Sequence, residues 1–387
     1  MTMLTCVSPI DGKVFAKREA LSISKSQEVI ETSRKSQPAW SQRPIEERID
    51  LVLAGVAEMG RMNDDVVPEL AKMMGRPVRY GGEFKGFEER AHYMSKIASQ
   101  SLQAIDAGED ADFKRYIRRI PHGVVFVIAP WNYPYMTAIN TIAPALIAGN
   151  TVILKHSTQT LLVGERLASA FHSAGVPKDV FQNVFLDHEI TTQLIAENSF
   201  DFINFTGSVP AGASIEKAAA GTFTGVGTEL GGKDPGYVME DADLEAAAET
   251  LIDGAMFNSG QCCCGIERIY VQESLFDDFL KKAISIVSNY KLGNPLDMDT
   301  TLGPMANIRF ANHVRDQISD AQKKGAIAHI STFQEDDGGV YLTPQILTNV
   351  DHSMKVMTEE SFGPVVGIMP VKDDHEAISL MNDSEFG

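Results

Sequence analysis

The sequence is short of basic residues, cysteine and long apolar runs. Lys and Arg number 34 against 52 Asp and Glu, for a formal charge of −18. So acidic a chain lacks the basic face that a nucleic-acid backbone requires. It equally lacks the polybasic segments drawn to an anionic membrane surface. No stretch approaches the roughly 18 consecutive apolar residues of a spanning helix. Residues 1–13 carry no apolar secretory core, so the cytoplasm is the expected compartment. The cysteines are Cys6, Cys262, Cys263 and Cys264. Three in a row make a poor disulfide framework. With no C-x-x-C or H-x-x-x-H spacing they are also poor zinc ligands, and no metal is expected. What is present is an ordinary globular composition, 44% apolar and 22% charged, over 387 residues. That length suits two or three domains.

The first hundred residues read as a turn followed by helices. Asp11-Gly12 between two apolar stretches is a hairpin signal. Residues 21–37, 45–60 and 82–103 carry helical spacing. The segment 113–120 alternates Tyr116, Ile117 and Ile120 with Arg115, Arg118 and Arg119, which suggests an exposed strand or arm. From residue 122 short β-branched runs (123–129, 151–155, 180–185, 201–205) alternate with helical stretches (about 137–148, 161–172, 191–197). This rhythm predicts βαβ units and a doubly wound parallel sheet. A second βα set follows residue 235. A helix through Leu244, Ala248 and Leu251 is capped by Asp241 or Asp243, a strand spans 265–271, and Ser274 caps a further helix.

Ligands collect at the carboxyl ends of parallel strands, so the residues following each strand are the candidates. Gly207 to Gly212 is a G-x-x-x-x-G turn into a helix, able to hold a pyrophosphate or to be a plain turn. Lys155 at a strand end is either a ribose or phosphate ligand or a solvated lysine. Asn132, in Pro130-Trp131-Asn132-Tyr133-Pro134, can donate to an oxyanion or serve only as a turn residue. Glu229 is either a buried general base with a raised pKa or a salt-bridged loop carboxylate. Cys263 is a nucleophile if its thiolate is stabilised, and otherwise a structural thiol.

Taken together the order and spacing of these motifs are specific. Pro130-Trp131-Asn132-Tyr133-Pro134, Lys155, Phe205-Thr206-Gly207-Ser208, Glu229-Leu230-Gly231-Gly232-Lys233, Gly260-Gln261-Cys262-Cys263 and Glu360-Ser361-Phe362-Gly363-Pro364 resemble the NAD(P)-dependent aldehyde dehydrogenase superfamily over essentially the whole chain. The resemblance implies an α/β fold with a Rossmann-like doubly wound cofactor domain (1–106 and 122–230). It also implies a strand arm for oligomerisation (107–121) and an α/β catalytic domain (231–387). Cys263 would be the nucleophile, Asn132 the oxyanion donor and Glu229 the base for deacylation. Lys155, Thr158, Gly207, Ser208, Trp131, Leu230, Glu360 and Phe362 would hold NAD or NADP. Tyr133, Met136, Asn140, Cys262 and Cys264 would shape a pocket for a small aldehyde.

Three departures carry expectations of their own. Thr158 stands where many NAD-preferring members have glutamate, so NADP should be accepted. Asn140 stands where succinic-semialdehyde members have arginine and betaine-aldehyde members tryptophan; it fits neither, leaving a medium aliphatic or aromatic aldehyde as the expectation. The Asn382 to Gly387 turn normally leads into another strand. On that basis the catalytic domain is expected to be short of its last segment, and the family's homodimer or homotetramer to be weakened. A CoA-acylating branch usually lacks the deacylating glutamate, so Glu229 argues against it. A non-catalytic member that binds only cofactor or partner subunits is the remaining alternative.

Overall fold

The computed structural model of the protein describes residues 2–110 and 112–386. Strands β1 (Met3–Val7) and β2 (Val14–Glu19) form the N-terminal hairpin. Gly12 in its turn sits at φ +68°, a conformation that strains a side chain. Helices α1 (Ile23–Ser41), α2 (Ile45–Arg61), α3 (Asn63–Met74) and α4 (Phe84–Ser101) follow. The sequence reading passed over α3, whose Pro68 resembles a break. Strands β3 (Ile105–Asp110) and β4 (Phe113–Ile117) form a separate two-stranded sheet among the described residues. They carry the exposed Ile105, Phe113, Tyr116 and Ile117, with Ile120 just beyond. Of the expected arm, Ala111 lies outside the described residues, as does Gly387 of the C-terminal turn.

The alternating segment runs β5 (Val124–Ala129), α5 (Pro134–Ile147), β6 (Thr151–His156), α6 (Leu161–Ser173), β7 (Phe181–Val184), α7 (His188–Ala196), β8 (Phe202–Thr206), α8 (Val209–Ala219) and β9 (Gly225–Glu229). These strands form one parallel sheet in the order β7-β6-β5-β8-β9. All six residues of β5 and of β6 are buried. Continuous runs such as VVFVIA are what a parallel strand covered on both faces requires.

Next come β10 (Asp234–Val238), α9 (Leu244–Met256), β11 (Ile266–Gln272), α10 (Phe276–Ser288), α11 (Ile308–Lys323), β12 (Ile327–Ala328), β13 (Gln345–Thr348), α12 (Lys355–Thr358), β14 (Val365–Val371) and α13 (Asp374–Asn382). They build a sheet in the order β10-β11-β14-β13-β12, parallel except for the β12–β13 pair. On one face Ile269, Val271, Val366 and Ile368 pack with Ile252, Phe279 and Val287 of α9 and α10. On the other, Tyr270, Val365 and Val371 pack with Val314 and Ala321 of α11. Asp243 caps α9, accepting from the Glu245 and Ala246 N–H groups. Ser274 does not cap α10. It lies in a 3₁₀ turn (Glu273–Leu275), and Leu275 holds the cap position.

Two compact units result. One comprises residues 1–6, 14–66 and 82–230; the other comprises 7–13, 67–81 and 231–387. The chain passes from the first unit to the second between Leu230 and Gly231. The assignment of all of 1–106 to the first unit is corrected, because residues 67–81 are bonded into the second. The Val78 N–H donates to the Pro295 carbonyl at 2.8 Å, and the Tyr80 hydroxyl to the Thr301 carbonyl at 2.9 Å. Gly75, at φ +86°, lies against Pro304.

At the end of β6 the buried His156 ring joins three segments. Its Nε2 lies 3.2 Å from the Pro134 carbonyl; Nδ1 accepts from the Ser157 N–H (2.9 Å) and meets the Thr160 hydroxyl (3.1 Å). With Nδ1 accepting, Nε2 carries the proton and the ring is neutral. Burial pushes its pKa down to about 4. In the unfolded chain the ring protonates near pH ~6.5. Between those values the unfolded state binds the extra proton, so stability is full above pH ~6.5 and is lost as pH falls toward 4. We expect His156→Gln to flatten that part of the urea-unfolding free energy against pH by roughly 2–4 kcal/mol. An unchanged profile would count against a neutral His156.

Candidate active site

In the first unit, β5 starts the alternating sheet yet lies at its centre, with β6 on one side and β8 on the other. The chain therefore reverses direction across the sheet beside β5, and a crevice opens at the carboxyl ends there. The loop from Pro130 to Tyr133 leaves β5 at this edge and enters α5 with Pro134 at its first turn, where proline's missing N–H costs nothing. Asn132 is 3% exposed; Trp131 and Tyr133 are half-buried. Lys155, near the end of β6, is 6% exposed. Burial lowers its ammonium pKa to about 8, and the Asp187 charge opposes the fall. Thr158, half-buried, starts the turn beyond β6 and places no charge there.

Beyond β8, Gly207 donates its N–H to the Glu229 carbonyl at 3.0 Å. A Cβ on Gly207 would come 2.6 Å from the Phe205 ring, and one on Gly212 would come 2.6 Å from Leu230 Cδ2. Glycine at both positions lets the start of α8 close down on this edge. Ser208 takes the N-cap conformation of α8 (φ −73°, ψ 151°), yet its hydroxyl makes no capping bond. Backbone N–H groups and the positive helix end are what a pyrophosphate requires. Glu229 ends β9 with an exposed side chain. The buried alternative for this residue is therefore corrected: β9 is the edge strand of its sheet among the described residues. Met136 and Asn140 sit one turn apart on α5.

In the second unit the candidate residues precede strands instead of following them. Residues 231–233 lead into β10, 260–265 into β11 and 360–364 into β14. These three parallel strands are neighbours, so their amino ends bring the segments together. A Cβ on Gly231 would strike the Glu360 carboxylate, and one on Gly260 would strike the Gly363 carbonyl. A Cβ on Gly232 would lie 3.1 Å from the Cys263 carbonyl.

The turn before Cys263 is left-handed at three consecutive residues: Asn258 (φ 56°), Ser259 (φ 56°) and Gly260 (φ 68°). For the two non-glycines this costs about 1–2 kcal/mol each. Surrounding bonds hold it. Arg76 Nε donates to Asn258 Oδ1 at 3.2 Å, and Asn258 Nδ2 to the Gln261 carbonyl at 3.2 Å. Ser259 Oγ donates to the Gly303 carbonyl at 2.8 Å, and Gln261 Oε1 accepts from the Ala306 N–H at 2.8 Å. Cys263 emerges half-buried between Cys262, also half-buried, and the exposed Cys264. The two flanking sulfurs approach to 3.5 Å. Neighbouring thiols, and then burial, push the Cys263 thiol up, so its resting form is the protonated one.

A buried pair unforeseen in the sequence orders the 360–362 segment. Lys233 (1% exposed) donates its Nζ to Glu267 Oε2 at 2.7 Å and to Ser361 Oγ at 2.9 Å. Glu267 (4% exposed) also accepts the N–H groups of Ser361 (2.8 Å) and Phe362 (2.9 Å). Phe362 is thereby held at φ 50°, which a bulky residue rarely adopts. Glu360 then faces the Gly232 N–H at 3.3 Å. Burial, then the nearby Glu267 charge, raises its pKa to about 7, with Gly232 and Lys233 opposing. The available signal was Glu267-Arg268, two charges inside an otherwise apolar strand.

The aldehyde dehydrogenase family model matches residues 2–387, and the chain belongs to that family. It is 32% identical to 3,6-anhydro-alpha-L-galactose dehydrogenase of a Vibrio species, over 98% of this chain and 81% of that protein. It is 31% identical to an NADP(+) succinate-semialdehyde dehydrogenase of Deinococcus radiodurans, over 98% and 80%. NADP-dependent glyceraldehyde-3-phosphate dehydrogenase of Bacillus halodurans, solved with NADP, superposes with a TM-score of 0.92 at 32% identity, covering 100% of this chain and 81% of that one. The protein is thus an oxidoreductase acting on aldehydes. Among the described residues no helix is long and apolar enough to cross a membrane.

Removing one partner of a buried ion pair strands the other, at a cost of roughly 3–5 kcal/mol. Glu267→Ala should therefore destabilise far more than the double change Lys233→Met with Glu267→Leu. Urea unfolding of both checks this, and equal losses would contradict it.

Proposed function

We propose that this protein oxidises an aldehyde to its carboxylic acid with NAD or NADP, through a covalent intermediate on Cys263. The strongest support is the pinned left-handed turn, which holds the Cys263 backbone in one place within a chain of this family. The residues fit the cofactor. Lys155 supplies a largely desolvated cation, and Thr158 leaves room beside it for a ribose bearing a phosphate. Gly207 and Ser208 open the start of α8 to a pyrophosphate, with Trp131 and Leu230 flanking. Glu360 and Phe362 would hold the second ribose. When bound, the cofactor supplies the hydride acceptor.

The chain's own residues do the rest. Cys263 gives up its proton to solvent water, and its sulfur adds to the aldehyde carbon as the C=O π bond opens onto oxygen. The side-chain amide of Asn132 and the backbone N–H of Cys263 stabilise the oxygen's developing charge; losing one such donor typically costs roughly 2.7–4 kcal/mol. After hydride departure a thioester remains. Glu229 takes a proton from the attacking water, releasing the acid and the thiol. Tyr133, Met136, Asn140, Cys262 and Cys264 shape the substrate's surroundings. The separate hairpin of β3 and β4, with its exposed apolar side chains, suits pairing with a second copy of the chain. The unbroken family match over residues 2–387 favours catalysis over the binding-only alternative.

NAD(P)H formation across an aldehyde panel tests the reading. Cys263→Ala should be inactive. Glu229→Gln should give a single burst of NAD(P)H followed by slow turnover, because the thioester persists. Turnover that requires CoA would refute hydrolysis. Since the Cys263 thiol is pushed up, the pre-steady-state rate should rise with pH through the neutral range. Thr158→Glu should lower kcat/KM for NADP by about tenfold or more, roughly 1.4 kcal/mol, while sparing NAD.

A further inference from the structure

Asn132 lies two residues before α5, so its loop is fixed by the first turn of that helix. A helix start leaves N–H groups without intrahelical partners. Ser, Thr, Asp or Asn at the cap position normally meets one of them. Tyr133 holds that position here, and its side chain makes no capping bond. The Met136 N–H is met from α4 instead. The Glu83 carboxylate, at the start of α4, accepts it at 2.7 Å. Glu83 is 8% exposed, and its charge stands at the positive end of α5, where it is stabilised. Gly86 lets the two helices close: a Cβ there would come 2.7 Å from the Met136 sulfur.

Further bonds hold the same turn. The Pro134 carbonyl accepts from Nε2 of the buried His156 at 3.2 Å. The Tyr133 carbonyl accepts the N–H of Thr137 at 3.0 Å and its hydroxyl at 2.7 Å. Tyr133, Pro134 and Met136 are thus tied to α5 itself, to β6 and to α4. Asn132 is 3% exposed and is bonded to Tyr133, so these ties reach its backbone through one peptide link. A buried carboxylate is costly unless it is hydrogen-bonded, and apolar side chains would pack two helices without that cost. What a carboxylate adds is direction, since it fixes one backbone N–H.

We propose that Glu83 is a positioning residue for Asn132: by holding the first turn of α5 it aims the side-chain amide at the developing oxyanion. This rests on the oxyanion role of Asn132 proposed above. No contact with substrate or cofactor and no proton transfer is assigned to Glu83. Its effect on the reaction passes through Asn132, which sets it apart from a residue that only stabilises the fold. His156 and Thr137 still hold the turn when the Glu83 bond is lost, so removing that bond shifts the amide without unfolding the segment.

A double-variant cycle on the best aldehyde of the panel, read in kcat/KM, tests this. Glu83→Ala should lower kcat/KM about 10- to 100-fold, as a misplaced group does, while the Kd of NADPH by fluorescence titration stays within about twofold. Asn132→Ala should cost about 10²–10³-fold. Adding Glu83→Ala to it should cost at most about threefold more, because no amide remains to be aimed. Glu83→Gln keeps a carbonyl oxygen for the Met136 N–H and should recover most of the activity; Glu83→Asp, one methylene shorter, should not. A Glu83→Ala loss equally large in the Asn132→Ala background would overturn the proposal, as would wild-type activity in Glu83→Ala. If Glu83→Ala does not fold, Glu83→Asp takes its place in the cycle with the same outcomes. If no aldehyde is oxidised, or Asn132→Ala is as active as wild type, the reading beneath the proposal fails by itself. Hydrogen exchange of the Met136 amide then decides the hold on α5 separately. Faster exchange in Glu83→Ala than in Glu83→Gln upholds it; equal exchange refutes it.

Discussion

Glu267 sits in the interior with three donors converging on its two oxygens: the Lys233 ammonium and the N–H groups of Ser361 and Phe362. None can move without leaving a buried charge or a buried N–H unpaired, and either is expensive in a low-dielectric interior. Lys233 begins β10, Glu267 lies in β11, and Ser361 and Phe362 precede β14. One carboxylate thus ties together the amino ends of three adjacent strands. The left-handed backbone at Phe362, the place of Glu360 over the Gly232 N–H and the close seating of Gly260 on Gly363 all follow from that tie. The Cys263 segment inherits its position from the same packing, reinforced by the bonds of Asn258, Ser259 and Gln261.

The first unit solves its positioning problem differently. Its anchors are absences: no Cβ at Gly207, Gly212 or Gly86, so backbone and neighbouring side chains approach where other residues would hold them apart. His156 adds a polar tie, useful there because it stays neutral and satisfies the Pro134 carbonyl at the start of α5. Lys155 is kept nearly buried at this edge, with its ammonium weakened by desolvation. In the first unit the candidate residues follow the carboxyl ends of parallel strands; in the second they precede the amino ends.

Much of this was legible beforehand. The alternation of β-branched runs with helical spacing between residues 122 and 229 marked the doubly wound sheet, because strands buried on both faces must be apolar at every position. Asp243 was readable as a cap from its place before a periodic helix, whereas Ser274 was not distinguishable from the true start of α10. The motif order marked Cys263, Asn132, Lys155 and Glu360. Pro68 hid α3, which tolerates it in its middle. Residues 67–81 were misassigned because their partners, Pro295, Thr301 and Pro304, lie more than two hundred residues away along the chain. Spacing carries no signal at that range.

The sequence by itself determined the family, the α/β class and the residue types available for chemistry, since those depend on local periodicity and on motifs a few residues long. It also determined that Thr158 and Asn140 would be neutral. Only the tertiary structure decided what those neutral residues face: Asn140 meets Arg90, fifty residues earlier, because Gly86 lets two helices close to contact. Likewise only folding decided that Glu229 is exposed on an edge strand and that Glu267 is paired. Burial and pairing are properties of what packs against a residue, and that is set by the register of elements far apart in the chain.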